Sequence, residues 1–144
     1  MLLNLKKRLR KVRILIFVDA SIIIALINKR DNLHKNSLNL VSYLENQEKV
    51  ISNLVITEIL NSLGKFLGGK AGKSLYDNFK DNYIIFSENR DIYDSSIYTY
   101  RKYDGTIGFA DCVSIEIMKK LNIKEIASFD SDFDKIKEIK RKFK

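Results

Sequence analysis

The sequence predicts an α/β protein, a three-layer α/β/α sandwich around a mostly parallel central sheet. Short, wholly apolar runs such as Ile14-Leu15-Ile16-Phe17-Val18 have the make-up of strands buried on both faces. Between such runs lie longer stretches whose apolar residues recur at helical spacing, so strands alternate with helices. The chain of 144 residues is 45% hydrophobic and 31% charged, with no proline, repeat or low-complexity block to divide it. A basic extension over residues 1–13 followed by one domain over residues 14–144 accounts for that pattern.

In chain order, Ile14–Val18 is the first strand, and Asp19-Ala20-Ser21 supplies capping residues for a helix reaching Ile27. Asn36–Asn46 reads as a helix, with Leu38, Leu40 or Val41, and Leu44 at helical spacing. Lys49–Ser52 is a short strand. Leu54–Phe66 is a helix carrying Leu54, Ile59 and Leu63, joined by a flexible glycine-rich connection to a further helix over Ala71–Phe79. Tyr83–Phe86 is a strand, Arg90–Tyr103 a tyrosine-rich helix, Phe109–Leu121 a strongly patterned helix and Lys124–Phe129 a strand. From Phe133 onward basic and apolar residues alternate, a pattern open to a helix or a last strand.

The net charge of +8 favours a polyanionic partner: nucleic acid, an acidic protein or an anionic surface. Cys112 is the only cysteine, which excludes a disulfide framework and a thiolate zinc site and suits a reducing cytoplasm. The start, Lys6-Lys7-Arg8-Leu9-Arg10-Lys11-Val12-Arg13 before an apolar stretch, superficially has the form of a signal peptide. Asp19 and Ser21 interrupt that stretch, and it is shorter than the roughly 20 residues of a membrane-spanning helix. A strand, a turn and a helix explain it better, and no membrane association is expected.

Against this basic background, four acids stand where strands end or helices lie: Asp19, Glu58, Asp111 and Asp130. Each has a bland reading. Asp19 suits a helix N-cap, Glu58 a helix surface, Asp111 an N-cap with Gly108 at the start of its helix, and Asp130-Ser131-Asp132 a turn. Glu58, however, lies among Val55, Ile56, Ile59 and Leu60, which leave it no obviously polar face. Ligands of parallel sheets gather at the carboxyl ends of strands, where Asp19 and Asp130 belong. Carboxylates held close together repel one another and raise one another's pKa. Mg²⁺ or Mn²⁺ relieves that repulsion, taking oxygen ligands and binding substrate phosphates. A basic surface around such a pocket would hold a nucleic-acid backbone.

Phe17-Val18-Asp19-Ala20-Ser21, Thr57-Glu58-Ile59-Leu60, Phe109-Ala110-Asp111-Cys112 and Ser128-Phe129-Asp130-Ser131-Asp132-Phe133 resemble, in order, the motifs of PIN-domain nucleases. VapC-type toxins are the branch most resembled, over roughly residues 14–136. The resemblance implies a Mg²⁺- or Mn²⁺-dependent endoribonuclease acting on RNA, a homodimer and, for a toxin, an antitoxin partner that inserts into the acidic cleft. It implies that Asp19, Glu58 and Asp111 hold metal and that Asp130 completes the pocket, with Asp132 as the alternative. Ser21 and Ser128 fall where the family often has a small hydroxyl residue behind the metal ligands.

Two rivals are weaker. A phosphotransfer enzyme with Asp19 as nucleophile would want a second aspartate two residues on, where Ser21 stands. A non-catalytic PIN-like binding module would have no need of all four acids. Gly68-Gly69-Lys70-Ala71-Gly72-Lys73-Ser74 fails as a phosphate-binding loop, because Leu67 stands at the required first glycine. His34 is the only histidine and reads as a solvated loop residue; Cys112 reads as a small buried side chain. Tyr93, Tyr98, Tyr100 and Tyr103 suit core or dimer contacts, and Lys135, Lys137, Lys140, Arg141, Lys142 and Lys144 a solvated face.

Overall fold

A computed structural model describes residues 14–144, so the basic extension expected over residues 1–13 lies outside the described residues. The apolar run Leu15–Val18 forms β1, in which Ile16, Phe17 and Val18 have no exposed surface. There follow α1 (Ala20–Ile27), α2 (His34–Glu45), β2 (Glu48–Ser52), α3 (Asn53–Asn82), β3 (Ile84–Phe86), α4 (Arg90–Lys102) and α5 (Phe109–Leu121). β4 (Glu125–Ala127), a 3-10 turn (Ser131–Lys135) and β5 (Lys140–Lys142) complete the order.

The five strands lie in the order β3-β2-β1-β4-β5, and every pairing is parallel. Phe17 stands opposite Val50 on one side and Ile126 on the other, which makes β1 the middle of the sheet. The chain steps outward from β1 through β2 to β3, then returns across the sheet to β4. Right-handed crossovers therefore put α1, α2 and α3 on one face and α4 and α5 on the other. The packing agrees: α1 lies against α2 and α3, and α4 against α5. This is the expected α/β/α sandwich. Phe17, Phe79, Phe133, Leu63, Ile115 and Met118 are fully buried between the layers, each worth about 1.5–3 kcal/mol of burial.

The structure departs from the sequence reading at three places. The two helices expected over Leu54–Phe66 and Ala71–Phe79 are present and run together as α3, meeting at the single non-helical residue Gly68 with φ 78° and ψ 168°. Glycine adopts that positive φ without steric cost, and the helix resumes directly after it, so the expected flexible connection is a kink. His34 opens α2 instead of lying in a solvated loop, and its Nδ1 donates to the Ala25 carbonyl at 2.6 Å. The tail forms the 3-10 turn around buried Phe133 and then the edge strand β5. Its basic residues are only partly the expected solvated face. Lys137 and Lys140 are exposed, whereas the Arg141 side chain keeps 9% exposure and pairs with Asp134. Cys112 is buried as expected, Tyr93 and Tyr103 pack on the core, and Tyr98 remains 71% exposed.

Candidate metal centre

Because all strands run the same way, their carboxyl ends share one edge, and the turn after β1 opens there. Asp19 sits in that turn with extended backbone, φ −75° and ψ 151°, and is 6% exposed. It holds the N-cap position of α1, yet its side chain caps nothing. Instead Oδ2 accepts from Ser21 Oγ at 2.8 Å and from Ser128 Oγ at 2.7 Å. Each hydroxyl is used twice: Ser21 Oγ accepts from the Phe129 N–H at 3.2 Å and Ser128 Oγ from the Asp130 N–H at 3.0 Å. The turn after β1 is thus fastened to the turn after β4 through one carboxylate oxygen. Burial raises the Asp19 pKa above the ordinary carboxylate value, the hydrogen bonds from Ser128, Ser21 and Ala20 pull it back, and the charge of Asp130 raises it again.

Asp111 lies inside the first turn of α5, whose N-cap is Gly108, so the expected capping role belongs to the glycine. Its carboxyl is pushed up to about 8, first by burial, then by the charges of Asp19 and Asp130, a hydrogen bond with Asp130 and the charge of Glu58. Glu58 lies on an exposed face of α3 with Thr57, Asn61 and Ser62, so the helix does give it a polar face. The residue is open to solvent, yet its carboxyl is close enough to the edge for partial burial, and then the charge of Asp19, to raise its pKa.

Asp130 opens the 3-10 turn, and its Oδ1 accepts from the Asp132 N–H at 2.9 Å, so the expected turn is present. Asp132 itself is turned outward to Lys135 Nζ at 2.9 Å. Of these two, Asp130 is the one that acts on Asp19 and Asp111.

Three residues missed in the sequence support this edge. The Glu88 carboxylate accepts from the Asn53 and Leu54 N–H groups at 2.8 and 3.1 Å, capping α3 a turn before Glu58. Ser52 Oγ accepts from the Val55 N–H at 3.2 Å. Glu88 lies in an ordinary polar loop of the sequence, and only the pairing of β3 with β2 brings it to α3. Arg141, in β5, donates to the Ser128 carbonyl at 3.3 Å.

Among the described residues, none of the four acids forms an ion pair; the paired acids are Asp77, Glu116, Asp132, Asp134 and Glu125. Nor, among the described residues, do three His, Cys, Asp or Glu side chains stand close enough to hold a metal ion as they are placed. The donor chemistry nonetheless fits a hard divalent cation: oxygen donors only, uncompensated charge and one pre-oriented carboxylate.

A sequence model of the PIN domain matches residues 16–139. The chain belongs to the PIN-domain family. No curated protein matches the sequence. Among solved structures, this PIN domain is similar to the Mycobacterium tuberculosis toxin VapC20, described as cleaving the sarcin-ricin loop. The TM-score is 0.72 at 23% identity, covering 83% of this chain and 93% of that one. Rickettsia felis VapBC2, bound to a DNA fragment from its promoter, gives 0.65 at 18% identity over 90% and 98%. A Klebsiella pneumoniae toxin–antitoxin complex gives 0.67 at 16% identity over 86% and 94%. At these identities the likeness is one of fold.

Proposed function

We propose that this PIN domain is an endoribonuclease that hydrolyses RNA phosphodiester bonds with Mg²⁺ or Mn²⁺, serving in the cytoplasm as the toxin of a type II toxin–antitoxin pair. The observation that carries the reading is the edge itself. Asp19, buried and oriented by two serines, acts electrostatically with Glu58, Asp111 and Asp130, and no cation of the described chain neutralises them. Asp19, Glu58 and Asp111 would hold the ion directly or through water, and Asp130 would support it or a second ion. When bound, such an ion orients and ionises a water and stabilises charge on the attacked phosphate and leaving oxygen. Ser21 and Ser128 keep Asp19 oriented at the edge where the ion would be held. The net charge of +8 holds the remaining RNA backbone.

The toxin half of the proposal draws on the toxin–antitoxin complexes among structures of the same fold. In this reading the protein is a homodimer, and its antitoxin inserts into the acidic cleft. Among the described residues no helix is long and apolar enough to cross a membrane. The test is cleavage of transfer, ribosomal and messenger RNA with Mg²⁺ or Mn²⁺, repeated in EDTA and with Asp19→Asn. Cutting that stops in both controls is the expected result; undiminished cutting by a folded Asp19→Asn protein would overturn the assignment.

A further inference from the structure

The loop that carries Asp130 is gripped at both ends by one side chain from the far edge of the sheet. Arg141 Nε and Nη2 donate to Oδ1 and Oδ2 of Asp134 at 2.9 and 2.8 Å, a planar fork onto one carboxylate. Its remaining terminal nitrogen, Nη1, donates to the carbonyl of Ser128 at 3.3 Å. Ser128 begins the loop and Asp134 lies in the turn that ends it. The Phe143 ring covers the guanidinium at 3.9 Å, and β5 adds a backbone bond from the Ser128 N–H to the Lys142 carbonyl at 3.1 Å.

Between those grips the loop is tied to the turn after β1 by the Phe129 N–H to Ser21 Oγ bond at 3.2 Å and to the core by buried Phe133. Its own bonds around Asp130 are short-range, Asp132 N–H to Asp130 Oδ1 at 2.9 Å and Phe133 N–H to the Asp130 carbonyl at 3.4 Å. It nevertheless has to place two groups: the Ser128 hydroxyl on Asp19 and the Asp130 carboxyl beside Asp111. Asp130 is also close enough to act on the Arg141 charge, whose pKa is raised chiefly by Asp134. Only arginine has this geometry, because lysine carries one ammonium and no planar fork. That separates Arg141 from the lysines at 140 and 142 on either side of it.

We propose that Arg141, acting with Asp134, is a positioning residue of the acidic site: it clamps the loop from Ser128 to Lys135 and so fixes Ser128 against Asp19 and Asp130 against Asp111. As far as it concerns metal affinity, this rests on the metal-dependent reading above. An ordinary edge ion pair would contribute little and would leave the site unchanged.

The test uses the full chain with Arg141→Lys, Asp134→Asn and the double variant. Mn²⁺ affinity is measured by calorimetry, amide exchange over residues 128–136 by mass spectrometry, and folding by thermal unfolding. Each single variant is expected to weaken Mn²⁺ binding about tenfold, the lower end for residues that support metal ligands. Loop amides should exchange faster while the melting temperature moves by only a few degrees. The double variant should be no worse than Arg141→Lys alone, since that change already removes the fork onto Asp134. Parent-like Mn²⁺ affinity and loop exchange in folded variants would overturn the clamp. Should Arg141→Lys fail to fold, Asp134→Asn decides, because its side chain is 55% exposed. Should the parent itself bind no Mn²⁺, the metal reading falls, and the clamp then stands or falls on loop exchange alone.

Discussion

Glu125 opens β4 and Asp130 follows it, so the same short strand has an acid at either end of the sheet. At the amino end the Tyr43 hydroxyl donates to Glu125 Oε2, and Lys142 Nζ stands 4.0 Å from Oε1 and lies over the Tyr43 ring. Burial, then Glu125, pushes the Tyr43 hydroxyl up to about 12, which keeps it a donor. At the carboxyl end Asp130 meets Asp111 and Asp19, and the one cation within its reach, Arg141, is paired with Asp134. The first end spends its acid on fastening α2 and β5 to β4. The second leaves charge unbalanced, and an unbalanced set is one that a cation can bind. The sign of an acid's neighbours, more than its burial, separates fastening from chemistry.

The sharpest break of that contrast is Asp19→Asn. Removing one charge without changing shape should lower cleavage by more than the about 100-fold that loss of an outer-shell contact costs. Circular dichroism should report an unchanged fold. A cleavage assay on Glu125→Gln, at the other end, should match the parent.

The second contrast is in pH. Asp111, Asp19 and Glu58 all have folded-state pKa values above their ordinary ones, led by Asp111 raised from 3.8 to about 8. Groups raised in this way stabilise the fold fully below their unfolded pKa and lose that contribution as pH rises through the folded one. In EDTA, melting temperature should therefore fall between about pH 4 and pH 8. Mg²⁺ should restore it at the alkaline end, and Asp111→Asn should flatten the slope. Asp134, lowered by Arg141, runs the other way: its contribution is present above its unfolded pKa and lost as pH falls.

Glu125→Gln should then cost about 1.5 kcal/mol in urea unfolding, the loss expected when a hydrogen bond to a charged group is weakened. Smallest of all is Asp132→Asn, which removes only the partly exposed pair with Lys135 and should cost no more than about 0.5 kcal/mol. Cleavage by this variant should match the parent; a large fall would move Asp132 into the place given to Asp130.

The parts legible in the sequence are those set by neighbouring residues. Leu15–Val18 can be buried only inside a sheet, and α/β alternation orders the rest, so the acids after β1 and β4 had to share an edge. The break between two helices at Gly68 was legible in the glycine cluster; that it is a single-residue kink was not, because buried Leu63 and Phe79 hold the helical segments on both sides of it. The polar face at Glu58 was overlooked because its apolar neighbours in sequence point to the core one turn away. Glu88 and Arg141 gave no signal at all. Glu88 meets Asn53 and Leu54, 35 and 34 residues away, and Arg141 meets Asp134 and Ser128, 7 and 13 residues away, contacts that the placing of β3 and β5 in the sheet brings about.

That strand order also sets a timetable. The strand made first is the middle of the sheet; β2 and β3 extend it one way, and β4 and β5 are added last on the other. A chain emerging from the ribosome has made Asp19 and Glu58 long before Asp111 and Asp130, and Ser128 and Arg141 come later still than Asp111. Half of the acidic edge therefore has no counterpart until the sheet closes. Under the proposed cleavage of RNA, the order of the strands postpones the reaction past the synthesis of β4.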